Sequence, residues 1–500
     1  MSLKNVTLPA DVKGVHIHFV GIKGTGMAAL VEIFHVRGAV ITGSDVSERF
    51  YTDEILEKLG IKALPFSKDN ITPSVQYVIY SSAYSPEKNP DLVQAVQKGI
   101  PIMLYTEALG ALSGTAYSCG VCGVHGKTTT TGLVGTLLKN LDLPSQVLAG
   151  SVIASFGNSC TMTKNCVPGA KNYFVAETCE YQRHFMSFCP QKIILTSVES
   201  DHQDYYPTYE DIRNAFVDYI CKLPVGGQLI YCADDQGAVE AARIAREKRP
   251  DIQCIPYGEN AEGDYRLQFG IVECGKHFFT VQAFGQCAIS VPGNHNVRNA
   301  VAALALAAEL LKTDGKNPAD YAKKLKDGLA AFAGGKRRSE IVGKAKNAVG
   351  KDIIFIDDYG HHPTAIKTTL AGYRDFYKKH RIIVDFMSHT YTRTAALLEE
   401  FASSFADADD VILNKIYGSA REDASCATVT GETLAEHARK YHRSVHYCAE
   451  FGQAAEEGMK LLAGDSGKDF PDGFLFVTMG AGDNWKVGKH ILEKMRGSAS

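Results

Sequence analysis

The chain has 500 residues, too many for one apolar core, which suggests about three domains, each large enough to bury its own interior. Its formal net charge of -3 excludes long-range attraction to nucleic acid or an anionic membrane, and the longest basic run, Lys336-Arg-Arg338, is too short to hold a polyanion. The 13 cysteines follow no repeating frame, Met1 to Gly14 lack the apolar core of a signal peptide, and no apolar run reaches the roughly 18 residues of a spanning helix, so a cytoplasmic protein with reduced thiols is expected, as a monomer or weak homodimer.

Val15 to Val20 alternates and then turns apolar, Gly21-Ile-Lys-Gly-Thr-Gly26 interrupts it, and Met27 to Arg37 carries apolar residues at helical spacing. This pattern predicts a strand, a glycine turn and a helix. A second strand at Ala39 to Thr42 leads to Asp45, about 20 positions beyond the glycines, where a dinucleotide fold puts its ribose contact. Taken alone, Gly21, Gly24, Gly26 and Asp45 support a nicotinamide-dependent oxidoreductase. Gly26-Met27 departs from the usual third-glycine spacing, however, and such a turn can equally receive the diphosphate of a nucleotide sugar. Short apolar runs at Tyr77 to Tyr80 and Pro101 to Leu104 extend a parallel α/β pattern to about Ser113, giving a Rossmann-like first domain over residues 1–115.

The next stretch, Cys119-Gly-Val-Cys-Gly-Val-His-Gly-Lys-Thr-Thr-Thr-Thr131, follows an apolar run and opens a helical segment through Leu141. Gly123, His125, Gly126, Lys127, Thr128 and Thr129 read as a phosphate-binding loop. Backbone N–H groups converge on phosphate oxygens, Lys127 supplies a point charge to the terminal phosphates, and Thr128 offers a hydroxyl to magnesium. The spacing is unusual, because the position six before Lys127 is Val121 rather than glycine. Further strands at Tyr173 to Glu177, Lys192 to Thr196 and Gln228 to Tyr231 aim Glu177 and Ser197-Val-Glu-Ser-Asp-His202 at the edge where this loop sits, so that Glu177 and His202 can hold magnesium beside a triphosphate. An Asp-His pair after a strand is also an ordinary helix N-cap. Tyr265 to Val291 reads as a hairpin-rich insertion, and Pro292-Gly-Asn-His-Asn-Val-Arg-Asn299 leads into an Ala/Leu-rich helix, closing a mostly parallel, P-loop ATPase-like central domain over 116–332. Beyond Ala333-Gly-Gly335, strands at Asp352 to Asp357, Arg381 to Phe386, Val411 to Asn414, Val445 to Tyr447 and Phe474 to Met479 alternate with helices, giving a C-terminal Rossmann-like α/β domain over 333–500. Gly464 to Gly473 reads as a surface loop.

Gly123-Val-His-Gly-Lys-Thr-Thr129, Glu199-Ser-Asp-His-Gln-Asp204, Pro292 to Asn299, Asp357-Asp-Tyr-Gly-His-His-Pro363, His389-Thr-Tyr-Thr-Arg-Thr394 and Gly480-Ala-Gly-Asp-Asn-Trp485, taken in that order, resemble the motif set of the Mur ligases. The opening His18 to Met27 is similar, within that family, to the members that join L-alanine to UDP-N-acetylmuramate in peptidoglycan precursor synthesis. The resemblance implies an ATP- and Mg2+-dependent amide-forming ligase. It implies that Lys127 contacts the β and γ phosphates, that Thr128 and Glu177 bind one magnesium ion and His202 a second, and that His295 and Asn296 lie by the adenine. Gly21, Gly24, Gly26, Met27 and Asp45 would face the UDP-sugar. Asp357 would serve the nucleotide, Tyr359 and His361 would line the closed site, and His389 and Arg393 would meet the amino acid, Arg393 as a bidentate carboxylate clamp.

Three local departures accompany this resemblance. Cys179 stands where the family often has aspartate, Ser197 where asparagine commonly precedes the Asp-His pair, and Asp385-Phe-Met-Ser-His389 differs from the more usual Phe-Gln-Pro-His. Cys119 and Cys122 have zinc-type spacing, but no second pair follows, and structural thiols are expected. The alternatives are a ligase of the same fold that attaches a preformed peptide in wall recycling, a nicotinamide oxidoreductase, and a non-catalytic nucleotide sensor.

Overall fold

The computed structural model describes residues 8–9, 11–167, 170–418 and 428–497, which form four sheets. The first contains β1 (His16–Val20), β2 (Val40–Ser44), β3 (Tyr77–Tyr80) and β4 (Ile102–Leu104), all parallel, in the order β2-β1-β3-β4. Successive side chains of β1 point to opposite faces: Ile17 and Phe19 enter the main core, while Val20 joins Val78, Leu92 and Ala95 in a smaller cluster.

The second sheet is built from β5 (Tyr117–Cys122), β6 (Ser145–Ile153), β7 (Ser159–Lys164), β8 (Tyr173–Glu177), β9 (Lys192–Leu195), β10 (Gln228–Cys232) and β11 (Gln253–Tyr257). Their order is β11-β10-β9-β5-β8-β6-β7, parallel except for β7, which pairs antiparallel with β6. A small antiparallel sheet follows, made of β12 (Leu267–Glu273), β13 (Lys276–Val281) and β14 (Gly285–Ile289), as the hairpin signals predict. The fourth sheet holds β15 (Glu340–Lys346), β16 (Asp352–Asp358), β17 (His380–Phe386), β18 (Asp410–Leu413), β19 (Val445–Tyr447) and β20 (Gly473–Met479), in the order β15-β16-β20-β17-β18-β19, with only β15 antiparallel. The architecture is therefore three α/β units, as expected. The strands β6, β7, β11 and β15 are additions that the sequence patterns did not announce.

The interiors are partitioned differently from the expectation of one core per domain. A single contiguous cluster runs from Val12 to Phe332, so the first two units share one apolar interior, whereas the third has separate clusters on the two faces of its own sheet. The cause is the Thr25–Val36 helix, whose residues Met27 to Phe34 are all buried. One side of it covers the first sheet and the other meets β6 and β7. A helix apolar on every side must be covered on every side. Polar contacts stitch the same seam: Arg37 Nε and Nη2 donate to Gln146 Oε1 at 3.0 and 2.7 Å, and Ser159 Oγ donates to Glu32. No helix among the described residues is long and apolar enough to cross a membrane.

Candidate functional site

The carboxyl ends of the second and fourth sheets face each other across a cleft of about 500 Å³. Open α/β sheets bind ligands at this edge, beside the point where strand order reverses. Here β5 lies between β8 and β9, and the loops after β5, β8, β9 and β10 contribute Val124 to Thr129, Glu177 with Glu180, Glu199 with Asp201 and His202, and Asp234 with Asp235. From the third unit come Arg338, Ser339, Asp358 to His362 and Thr364.

The loop after β5 is set by two glycines. Gly126 caps the Lys127–Leu141 helix with φ 80°, and a Cβ there would sit 2.5 Å from Asn299 Oδ1. Gly123 has φ 132°, and a Cβ there would lie 2.1 Å from Thr196 Oγ1. Neither place admits a side chain. The helix N-terminus with its unpaired N–H groups therefore faces the cleft, a ready seat for an anion. Lys127 Nζ donates to Gly123 O at 2.6 Å and to Glu180 Oε2 at 2.9 Å.

Two carboxylates stand below this loop. Glu177, at the end of β8, accepts from Thr128 Oγ1 and from the Gly150 N–H, each at 2.8 Å. Glu180, 2 % exposed, lies between Lys127 and His202, whose Nε2 is 3.4 Å from Glu180 Oε1. Burial would raise the Glu180 carboxyl, but the Lys127 ammonium and His202 together hold it below the ordinary carboxylate range. Thr128 and Glu177 are thus brought together as expected, but His202 joins the loop through Glu180, a residue not singled out from the sequence. His202 itself has a left-handed backbone, φ 55°, with its carbonyl accepting from the N–H groups of Tyr205 and Tyr206. Such conformations cost about 1–3 kcal/mol and gather at functional sites.

The third unit supplies the opposite wall. Arg338, in the basic triplet too short for a polyanion, lies with its guanidinium 5.0 Å over the Tyr359 ring and Nη2 3.4 Å from Thr128 Oγ1. No carboxylate pairs with it among the described residues. Its neighbour Arg337 turns the other way, donating to Asp357 Oδ2 at 2.9 Å and to the carbonyls of Gly480 and Gly482. Asp357, expected at the nucleotide, is accordingly committed to Arg337 and to the Thr478 hydroxyl, and burial raises its carboxyl to about 6 despite that arginine. Asp358 lines the cleft instead, because adjacent residues of β16 face opposite sides.

His361 lines the cleft, with Nδ1 2.9 Å from Tyr359 O, and burial and Arg393 hold its imidazole well below its ordinary value. His389 packs behind it, ring against Tyr417. Arg393, 7 % exposed, donates from Nε and Nη2 to Asp201 Oδ1 of the central unit at 3.0 and 2.8 Å. At the cleft's other end His295 is pushed down to about 4 by burial, Arg298 and His125, while Asn296 donates from Nδ2 to Pro292 O.

The glycine turn after β1 is a separate place. Asp45 is 7 % exposed and accepts from the N–H groups of Lys23 and Val46 and from the Tyr84 hydroxyl, so it pins the turn. Tyr84 packs on Gly21, Gly24 donates its N–H to Gly21 O, and Met27 is buried in the core. Gly26 lies on Tyr105 and lines a smaller cavity of about 120 Å³. Glu177 lines that cavity and the main cleft alike.

Three family models match in order: the Mur ligase family catalytic domain over residues 16–117, the Mur ligase middle domain over 121–307, and the Mur ligase glutamate ligase domain over 337–482. A UDP-N-acetylmuramate--L-alanine ligase of Treponema pallidum is 48 % identical over 98 % of both chains, and one of Borreliella burgdorferi is 36 % identical over 94 % of this chain and 97 % of its own. Among solved structures, the UDP-N-acetylmuramate-alanine ligase of Thermotoga maritima superimposes with a TM-score of 0.75 over 97 % of this chain and 99 % of its own at 24 % identity. A murein peptide ligase of Psychrobacter arcticus gives 0.64 over 96 % of this chain and 99 % of its own at 21 % identity. The three models follow one another along most of the chain, with full-length relatives beside them, and the chain belongs to the Mur ligase family.

Proposed function

We propose that this chain joins L-alanine to the lactyl carboxylate of UDP-N-acetylmuramate at the expense of ATP. The observation that carries the reading is the convergence of Lys127 and His202 on Glu180, with the Thr128–Glu177 pair alongside, where Glu177 is shared by the main cleft and the cavity leading to Gly26. Two binding spaces meeting at one carboxylate suit a reaction between a nucleotide and a nucleotide sugar.

In this reading the sugar's carboxylate attacks the γ-phosphorus, ADP leaves, and an acyl phosphate forms. The amine of alanine then attacks the acyl carbon and expels phosphate. Two anions must meet in the first step, so positive charge has to be fixed in advance. Lys127 and Arg338 supply it from two units, and the N–H groups of the loop add their dipoles. The hydroxyl of Thr128 and the carboxylates of Glu177 and Glu180 make a hard oxygen donor set that fits Mg2+, with His202 at its edge. Bound there, Mg2+ would neutralise phosphate charge. Arg393 is the group on which the amino acid's carboxylate would dock, with Asp201 holding the guanidinium until then. His361, kept neutral by burial and by Arg393, adds no positive charge that would repel the incoming ammonium. Tyr359 and the third unit's wall exclude water from an intermediate that hydrolyses readily.

Phosphate release measured with UDP-N-acetylmuramate and each amino acid or preformed peptide in turn tests the reading. Turnover with L-alanine and none with the preformed peptide is expected; a preference for the peptide would identify a recycling ligase, and no turnover with any of them would overturn the assignment.

A further inference from the structure

His125, Glu199 and His362 form a second cluster on the cleft wall, and none of the steps above uses it. Each residue brings one ligating atom, and the three atoms lie within 4.8 Å of one another. His125 Nε2 abuts Glu199 Oε1, and His362 Nδ1 is 3.8 Å from that same oxygen. The two imidazole rings are 5.0 Å apart. Thr364 donates its hydroxyl to the other oxygen of Glu199 at 2.9 Å, which fixes how the carboxylate faces the histidines. His362 is 5 % exposed, and its Nε2 has no hydrogen-bond partner.

We propose that His125, Glu199 and His362 form a binding site for a zinc-type divalent cation, filled when the third unit is closed on the central one. Two imidazole nitrogens and one carboxylate oxygen are a recurring zinc donor set that leaves a fourth position open, here toward the cleft. Mg2+ is a poor occupant, because it prefers oxygen ligands, so this place is chemically distinct from the oxygen-rich set at Thr128. Zinc bonds of about 2.0–2.1 Å put tetrahedral ligands roughly 3.4 Å apart, so side-chain rotations close the observed spacing without moving the backbone. The groups facing the cluster favour it. Burial and the neighbouring His125 disfavour the protonated His362 imidazole, whose Nδ1 is held only by a long 3.4 Å bond from the Thr364 N–H that a metal ion can displace, and the same two histidines hold the Glu199 carboxyl down against its burial. Asp235, a further acid behind Glu199, adds negative potential when ionised. His125 and Glu199 belong to the central unit and His362 caps the Pro363–Phe376 helix of the third, so the bound ion links the two.

The test uses the full chain in excess Mg2+, titrated with Co2+ and with Zn2+. One equivalent of Co2+ should bind with the intense visible absorption of four- or five-coordinate cobalt, displaced by Zn2+. His362→Asn retains an N-cap and so the helix; it should weaken Zn2+ binding at least about tenfold, whereas Glu177→Gln should leave it unchanged. X-ray scattering should show a smaller radius of gyration with Zn2+ for the parent chain and not for His362→Asn. Equal affinity in the parent and His362→Asn, weak octahedral cobalt absorption only, or loss of binding in Glu177→Gln would overturn the site. An unchanged radius in the parent would overturn its link to closure.

Discussion

The guanidinium of Arg393 grips Asp201 through two nitrogens, at 3.0 and 2.8 Å, across the boundary between the third unit and the central one. Asp201 is 5 % exposed, and although burial would raise its carboxyl, Arg393 holds it far below the ordinary carboxylate range. The pair thus keeps a buried arginine aimed and charged, and a substrate carboxylate can take over the same fork. Arg393→Lys keeps the charge but loses the planar fork. Since a hydrogen bond to a charged group contributes about 1.5–3 kcal/mol, the KM for L-alanine should rise roughly ten- to hundredfold with the KM for ATP nearly constant. Steady-state kinetics with each substrate varied in turn decides it; an unchanged KM for alanine removes Arg393 from that role.

Glu180 and Glu177 are separable. Glu180 is shared by Lys127 and His202, whereas Glu177 rests on Thr128 and a backbone N–H. Removing the charge that both cationic groups face should be the more damaging change. Glu180→Gln is expected to lower kcat by about a hundred- to a thousandfold and to raise the Mg2+ concentration needed for half-activity, with Glu177→Gln milder on both measures. Mg2+ titration of phosphate release checks this, and the reverse ranking would return the leading role to Glu177.

Most of this site could be read from sequence because its residues sit in short contiguous runs at strand ends: the loop around Lys127, Asp201-His202, and the run from Asp358 to His362. Glu180 was not singled out: it stands next to the departing Cys179, three residues past the carboxylate at the end of β8, on a turn whose path no periodicity reports. Arg338 was discounted because a triplet of bases is weak as a polyanion site, although one guanidinium suffices for one phosphate. Asp357 was named on the resemblance alone; neighbouring aspartates on a strand differ only in the face they take, and register is set by the sheet. Among the strands, β6, β7 and β15 were missed for a common reason. They are antiparallel partners or edges, with polar residues such as Ser145, Gln146, Thr161, Thr163, Lys344 and Lys346 where the central strands are apolar.

Lys127→Ala should abolish turnover while leaving the sugar nucleotide bound, because the glycine turn after β1 makes its contacts independently of the loop after β5. The substitution also strips Glu180 of its main counter-charge inside the protein. Breaking one partner of a buried pair costs about 3–5 kcal/mol, less what protonation of Glu180 and the nearby His202 recover. Calorimetric titration with UDP-N-acetylmuramate should therefore give a Kd within a few-fold of the parent, alongside a lower melting temperature. Retained turnover would falsify the role of Lys127, and lost sugar binding would show that the two spaces are not independent.

The last prediction concerns Asp385, in the middle of the fourth sheet. It is fully buried between Asn414 and Asn484, whose amide nitrogens lie 3.1 and 3.2 Å from its carboxylate oxygens, with no cation paired to it among the described residues. Burial raises the carboxyl to about 7, only partly opposed by the two amides. A carboxyl whose value is raised by folding binds its proton more tightly in the native state than in the unfolded chain. Its contribution to stability is therefore complete below the ordinary carboxylate value near 4, declines as pH rises, and is lost once pH passes about 7. The full span is of order 4 kcal/mol at about 1.4 kcal/mol per pH unit. Asp385→Asn cannot ionise, so whatever it costs at the outset is the same at every pH. Melting temperatures taken from pH 5 to pH 8 should fall more steeply for the parent than for Asp385→Asn, and the two curves should approach or cross at the alkaline end. Parallel curves would mean that Asp385 stays ionised throughout, and that the two asparagine amides stabilise its charge far better than their distances indicate.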